Sequence, residues 1–111
     1  MGREKSLNRL RKNVTLGRRR TSVSLEEQVW NGLIDICRRE NIGIDELCAA
    51  VEQRRVGSSM SSALRVFLLT YFRSIAEALE EGAGIDDIAT LTAVLDRFHT
   101  EQAQAAGATS D

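Results

Sequence analysis

The stretch RRRTSVSLEE, residues 18–27, decides how the chain is read. After three arginines it alternates strictly. Arg20, Ser22 and Ser24 fall on one side, and Thr21, Val23 and Leu25 on the other. A period of two is the signature of a β-strand with one buried face. Two glutamates follow, and from there the apolar spacing changes to steps of three and four. No other stretch makes an equally good strand, so Arg20–Leu25 stands without an evident partner in its own chain. A strand must still pair its backbone N–H and C=O groups. A second copy of the chain meets that need. Two such strands pair antiparallel about a two-fold axis, with Thr21, Val23 and Leu25 turned to the helices and Arg20, Ser22 and Ser24 turned outward.

The rest of the chain reads as helix. Glu26-Glu27 opens the first one, with Ser24 three residues before Glu27 as in a capping box, and with Val29, Trp30, Leu33, Ile34, Ile36 and Cys37 as its apolar positions. Arg38 and Arg39 suit its last turn, and Asn41-Ile42-Gly43 closes it. Asp45 is the expected cap of a short second helix ending near Arg54. Val56-Gly57-Ser58-Ser59 reads as a loop. Ser61 or Ser62 then caps a third helix carrying Leu64, Phe67, Leu68, Tyr71 and Phe72. This helix is apolar over too wide an arc for one buried side, so its second side is expected against a twin. Strand and helix ask for the same homodimer. Trp30, Leu64, Phe67, Leu68 and Tyr71 join Thr21, Val23 and Leu25 as its expected core. A fourth amphipathic helix is expected from about Asp86 to Gln102, with Ile85, Ile88, Leu91, Leu95 and Phe98 as its stripe.

Domain boundaries follow: a basic flexible arm at 1–13, the strand-and-helix domain with an extra helix at 14–81, the amphipathic helix at 84–102 and a disordered tail at 103–111. The chain of 111 residues suits one domain, and 42 % hydrophobic with 28 % charged residues suits a globular, cytoplasmic protein. No run nears the roughly 18 apolar residues of a membrane span, and no secretory signal is visible. The formal charge of −1 hides an asymmetry. Residues 1–20 hold eight Lys and Arg against Glu4, a net +7, while the other 91 residues hold seven basic and fifteen acidic side chains, a net −8. A basic end of this kind suits electrostatic contact with nucleic acid. Cys37 and Cys48 sit among apolar residues and read as buried thiols. His99 is the single histidine, and Asp96 one turn earlier makes at most a meagre metal pair, so no metal and no cofactor is expected. No nucleotide-binding loop, nucleophile elbow or zinc-protease motif is present, so the chain does not read as an enzyme.

A two-stranded ribbon fits the major groove of B-DNA, where arginine donates twice to guanine and serine donates or accepts. The strand–helix–helix order with R-x-S-x-S-L-E resembles the ribbon-helix-helix transcription factors of the MetJ/Arc type. RTSVSLEEQVW followed by SSALRVFLLTYF resembles a group of short bacterial ribbon-helix-helix proteins. The resemblance covers about residues 14–75. It implies a mainly α fold whose N-terminal strand pairs across an intertwined homodimer, and a double-stranded DNA-binding regulator, a repressor. It implies base reading by Arg20, Ser22 and Ser24. It also implies a phosphate clamp at a helix N-terminus. That helix is either the one after Asp45 or the one after Ser61. Asp45 and Glu46 would repel a phosphate, so Ser59, Ser61, Ser62 and Arg65 are favoured, joined by Arg18 and Arg19. The other reading is an antitoxin-like protein-interaction module whose residues 84–102 bind a protein partner.

Overall fold

The computed structural model describes residues 9–84 and 91–108. It begins with an antiparallel hairpin of β1 (Arg9–Leu16) and β2 (Arg19–Glu26). The register runs from Leu16 opposite Arg19 to Arg9 opposite Glu26. Gly17 and Arg18 make the two-residue connection. Gly17 has φ +68°, and Arg18 does not share a positive φ, which matches hairpin turns that place glycine first. The expected strand is therefore present, but its observed partner lies in its own chain. Residues 9–13 belong to that partner strand and not to a flexible arm; residues 1–8 of the expected arm lie outside the described residues.

The hairpin turns one face inward. Val14, Leu16, Val23 and Leu25 are buried on it, and Thr21 shares that face at half-burial. Lys12 occupies an inner-face position opposite Val23. Its side chain stays exposed, and its Nζ lies 5.3 Å from the ring centroid of Trp30. The Trp30 indole Nε1–H donates to the Leu10 carbonyl oxygen at 2.9 Å, which fastens β1 to the first helix.

Helix α1 (Glu27–Glu40) buries Trp30, Leu33, Ile36 and Cys37. It starts after Glu26 without a side-chain cap, because Ser24 belongs to β2 and is not the expected capping residue. Asn41 ends the helix in the left-handed region, and the Ile42 N–H reaches back to the Cys37 carbonyl at 3.0 Å. Helix α2 (Ile44–Arg54) buries Leu47, Cys48 and Val51. Its N-cap is Gly43, two residues earlier than the expected Asp45. Asp45 instead accepts the Thr15 backbone N–H at 3.1 Å, so α2 covers the free edge of β1. Helix α3 (Met60–Glu80) is capped by Ser59, not Ser61 or Ser62: the Ser59 Oγ accepts the Ser62 N–H at 3.1 Å.

Helix α4 (Leu91–Ala108) lays Val94, Leu95 and Phe98 into the same core. The Phe98 ring meets Phe67 edge-on at 5.9 Å. Arg97 bridges α4 to α3 through Ser74 at 3.0 Å and Glu77 at 2.9 Å. The helix continues to Ala108, through most of the segment expected to be a disordered tail. Its expected start and the stripe residues Ile85 and Ile88 lie outside the described residues. Hairpin and helices thus close on one hydrophobic core. Trp30, Leu64, Phe67, Tyr71, Val23 and Leu25 are buried within a single chain, and Leu68 is half-buried beside them. Among the described residues, no helix is long and apolar enough to cross a membrane.

Candidate nucleic-acid interface

The outer face of the hairpin carries two rows of polar side chains. Alternation places Arg9, Arg11, Asn13 and Thr15 on this face from β1, and Arg20, Ser22, Ser24 and Glu26 from β2. Arg20, Ser22 and Ser24 therefore share one face, with Asn13 directly opposite Ser22 and Arg11 opposite Ser24. The Ser22 Oγ–H donates to Asn13 Oδ1 at 2.7 Å. Arg9 donates from Nε to the Ser24 hydroxyl oxygen at 3.3 Å and from Nη2 to the Ser24 carbonyl at 2.9 Å. Arg11, Arg18 and Arg20 are exposed, and among the described residues none of them is held by a carboxylate. The face and its turn thus hold three unneutralised guanidinium groups.

Of the β1 residues of this face, Arg9, Arg11 and Asn13 were missed by reading the sequence alone, whereas Val14-Thr15-Leu16 reads as a short extended piece ending in a turn at Gly17. Leu10-x-Lys12-x-Val14-x-Leu16 has the period of two, but Lys12 breaks its apolar row. Lys12 is exposed near the end of that row, and its contact with Trp30 is a tertiary feature that the local pattern does not display.

At the far end of β2, the start of α3 abuts the ribbon. The Ser61 Oγ–H donates to the Ser24 carbonyl at 3.2 Å. Arg65 makes a two-pronged pair with Glu26, at 2.9 and 3.2 Å. That pairing, with further help from Arg9, holds the Glu26 carboxyl below the usual carboxylate range. The Ser59 hydroxyl and the Ser62 backbone N–H are spent on the cap, which leaves the first amides of α3 and the exposed Ser62 hydroxyl as its open groups. Arg19 reaches Glu52 on α2 at 3.0 Å. Of the six expected phosphate contacts, Arg18 and the exposed Ser62 hydroxyl have no hydrogen-bond partner among the described residues, while Arg19 and Arg65 are ion-paired. The start of α2 is turned to β1 by Asp45, so the two candidate clamps are differently disposed: α2 guards the edge of β1 and α3 adjoins the end of β2.

The edges of the hairpin are also unlike each other. The Thr15 N–H points away from β2, toward Asp45. In an antiparallel ladder this makes Thr15–Arg20, and by alternation Asn13–Ser22 and Arg11–Ser24, the pairs that exchange no backbone hydrogen bonds. Backbone groups of Arg20, Ser22 and Ser24 are then directed to the outer edge of β2. Ser61 takes the Ser24 carbonyl there. Further along the same side, α3 exposes Leu69 and Phe72, at 58 % and 41 %. On a helical wheel these two lie on the arc of Ser61 and Arg65.

Elsewhere the chemistry is sparse. Cys37 and Cys48 are free and buried, and burial pushes the Cys48 thiol up to about 12. His99 lies with Nδ1 3.1 Å from the Arg54 carbonyl, and no three metal-binding side chains converge among the described residues.

Comparison with known proteins agrees with this geometry. A family model described as ribbon-helix-helix domain matches residues 10–72, from β1 to the middle of α3. No curated protein and no solved structure matches the chain.

Proposed function

The chain belongs to the ribbon-helix-helix domain family, and from that premise we propose that it is a sequence-specific DNA-binding transcriptional regulator, a repressor, acting as a homodimer. The outer face of the hairpin, with Arg20, Ser22 and Ser24, enters the major groove. The observation that carries this reading is the set of unpaired arginines Arg11 and Arg20 beside serines and an asparagine on one exposed β face, with Arg18 in the adjoining turn. Such a face offers base-edge donors and acceptors together with positive charge.

The dimer forms along the outer edge of β2. A partner β2 laid antiparallel there satisfies the backbone groups of Arg20 and Ser22 and covers Leu69 and Phe72 in the same step. The two hairpins then make a four-stranded sheet with the β2 strands at its centre. Strands lie about 4.8 Å apart, so the two inner ones fit a major groove about 12 Å wide and the two β1 strands reach its walls. Arg18 contacts phosphate, and the free amides at the start of α3, beside Ser59, Ser61 and Ser62, form the clamp. Arg19 and Arg65 reach phosphate only by exchanging Glu52 and Glu26 for it. The reading as a protein-interaction module is less well supported, because Val94, Leu95 and Phe98 of α4 are buried in the core and are not open to a partner.

The test is site selection from a random duplex pool, followed by Arg20→Ala on the selected site. We expect a loss of about 10- to 100-fold and a relaxed preference at one base pair per half-site. Wild-type affinity in the Arg20→Ala protein would overturn the assignment.

A further inference from the structure

We infer that Asn13 is a positioning residue that fixes the hydrogen-bond polarity of Ser22, so that Ser22 reads an amino-bearing base. The inference rests on the DNA-binding reading above. A serine hydroxyl is ordinarily an ambiguous reader, because it carries one donor and two acceptor sites and rotates to suit its surroundings. Across the ribbon, however, the Ser22 hydroxyl hydrogen is committed to Asn13 Oδ1 at 2.7 Å. Asn13 and Ser22 are directly opposite in a pair without backbone hydrogen bonds, where side chains stand closest, so the contact is built into the register. What Ser22 has left to offer DNA is its oxygen lone pairs. An acceptor facing the major groove finds the N6 amine of adenine or the N4 amine of cytosine. It is repelled by guanine O6 and N7 and by thymine O4.

Ser24 illustrates the opposite arrangement on the same strand. Its hydroxyl oxygen accepts from Arg9 Nε at 3.3 Å, and among the described residues no acceptor takes its hydrogen. Ser24 thus keeps its hydrogen to donate to guanine, thymine or adenine N7, with one lone pair remaining. Strand β1 therefore gives two chemically identical side chains on β2 different reading properties. A ribbon assembled from lone strands of two chains would have no β1 to do this.

The experiment compares full-length wild type with Ser22→Ala, Asn13→Ala and Asn13→Asp by site selection, with circular dichroism to verify that each variant is folded. Ser22→Ala identifies the base pair that Ser22 faces. There the wild type is expected to prefer adenine or cytosine over guanine or thymine on the facing strand by about tenfold, the worth of roughly one hydrogen bond. Asn13→Ala frees the hydroxyl to rotate, and the preference falls to about twofold or less. Asn13→Asp keeps an acceptor opposite the hydroxyl and so keeps the preference, although its charge weakens overall affinity. The base pair read by Arg20 keeps its preference in both Asn13 variants. A guanine or thymine at the Ser22 position in the wild-type site overturns the inference, as does an unchanged preference in Asn13→Ala. Either result with an intact Arg20 dependence leaves the DNA-binding reading standing. Failure of the wild type to select any site removes both.

Discussion

Trp30→Phe tests how the reading ribbon is held to the helices. The indole is buried and makes three contributions that phenylalanine reduces or removes. The Nε1–H bond to the Leu10 carbonyl, at 2.9 Å, is lost. Because Leu10 faces Leu25 in the ladder, its carbonyl keeps a backbone partner, and the cost is that of a net hydrogen bond, about 1 kcal/mol, without a full desolvation penalty. The smaller ring leaves a void in a site that is 1 % exposed, worth about 1 kcal/mol more. The Lys12 ammonium at 5.3 Å sits over a weaker aromatic face, worth about 0.5 kcal/mol. The sum is about 2–3 kcal/mol of unfolding free energy. Urea unfolding followed by circular dichroism reads it as a lowered midpoint with an unchanged slope. A double-mutant cycle with Lys12→Gln should show coupling of about 0.5 kcal/mol. A loss below about 0.5 kcal/mol for Trp30→Phe would refute the claim that the indole fastens β1 to α1.

Three further outcomes are expected. Gly17→Val forces a β-branched residue to φ +68° and should lower stability by about 1–2 kcal/mol in urea unfolding, whereas Gly17→Asn should cost less. Glu26 has its pKa lowered by Arg65 and by Arg9, so its ion pairs stabilise the fold above the usual carboxylate range and that contribution is lost as pH falls through the folded value. The stability difference between wild type and Glu26→Gln should therefore be present at pH 7 and shrink as pH falls below the usual carboxylate range. Leu69→Lys places a charge on the exposed α3 face and should shift sedimentation at micromolar concentration from dimer to folded monomer; an unchanged dimer would move the interface elsewhere.

How much of this was legible in the sequence depended on whether local pattern or tertiary contact set each residue. Arg20–Leu25 was legible because Val23 and Leu25, with Thr21, alternate strictly with Arg20, Ser22 and Ser24. The helices of residues 27–80 were legible because their buried positions repeat at three and four residues, as with Trp30, Leu33 and Cys37. The first part of β1, residues 9–13, was not, since Lys12 interrupts its apolar row and its contact with Trp30, eighteen positions away, is not displayed locally. The caps also escaped. Ser24 and Asp45 have capping chemistry, but the first is spent in β2 and the second on the Thr15 N–H. The site was read half-way: its β2 row followed from alternation, while Arg11 and Asn13 depend on a pairing register that no single strand displays. Arg65 looked free for phosphate because nothing local announces Glu26, thirty-nine residues earlier, as its partner.

The central claim is that an exposed, basic β face binds DNA. Its most direct test is the affinity of the full-length protein for a mixed-sequence duplex of about 30 base pairs, measured by fluorescence anisotropy across a salt series. The prediction is a linear fall of log affinity with log salt, with a slope equivalent to roughly 6–10 phosphate contacts per dimer. No binding at low salt, from protein shown to be folded and dimeric, would contradict the account and leave the hairpin as a structural element alone.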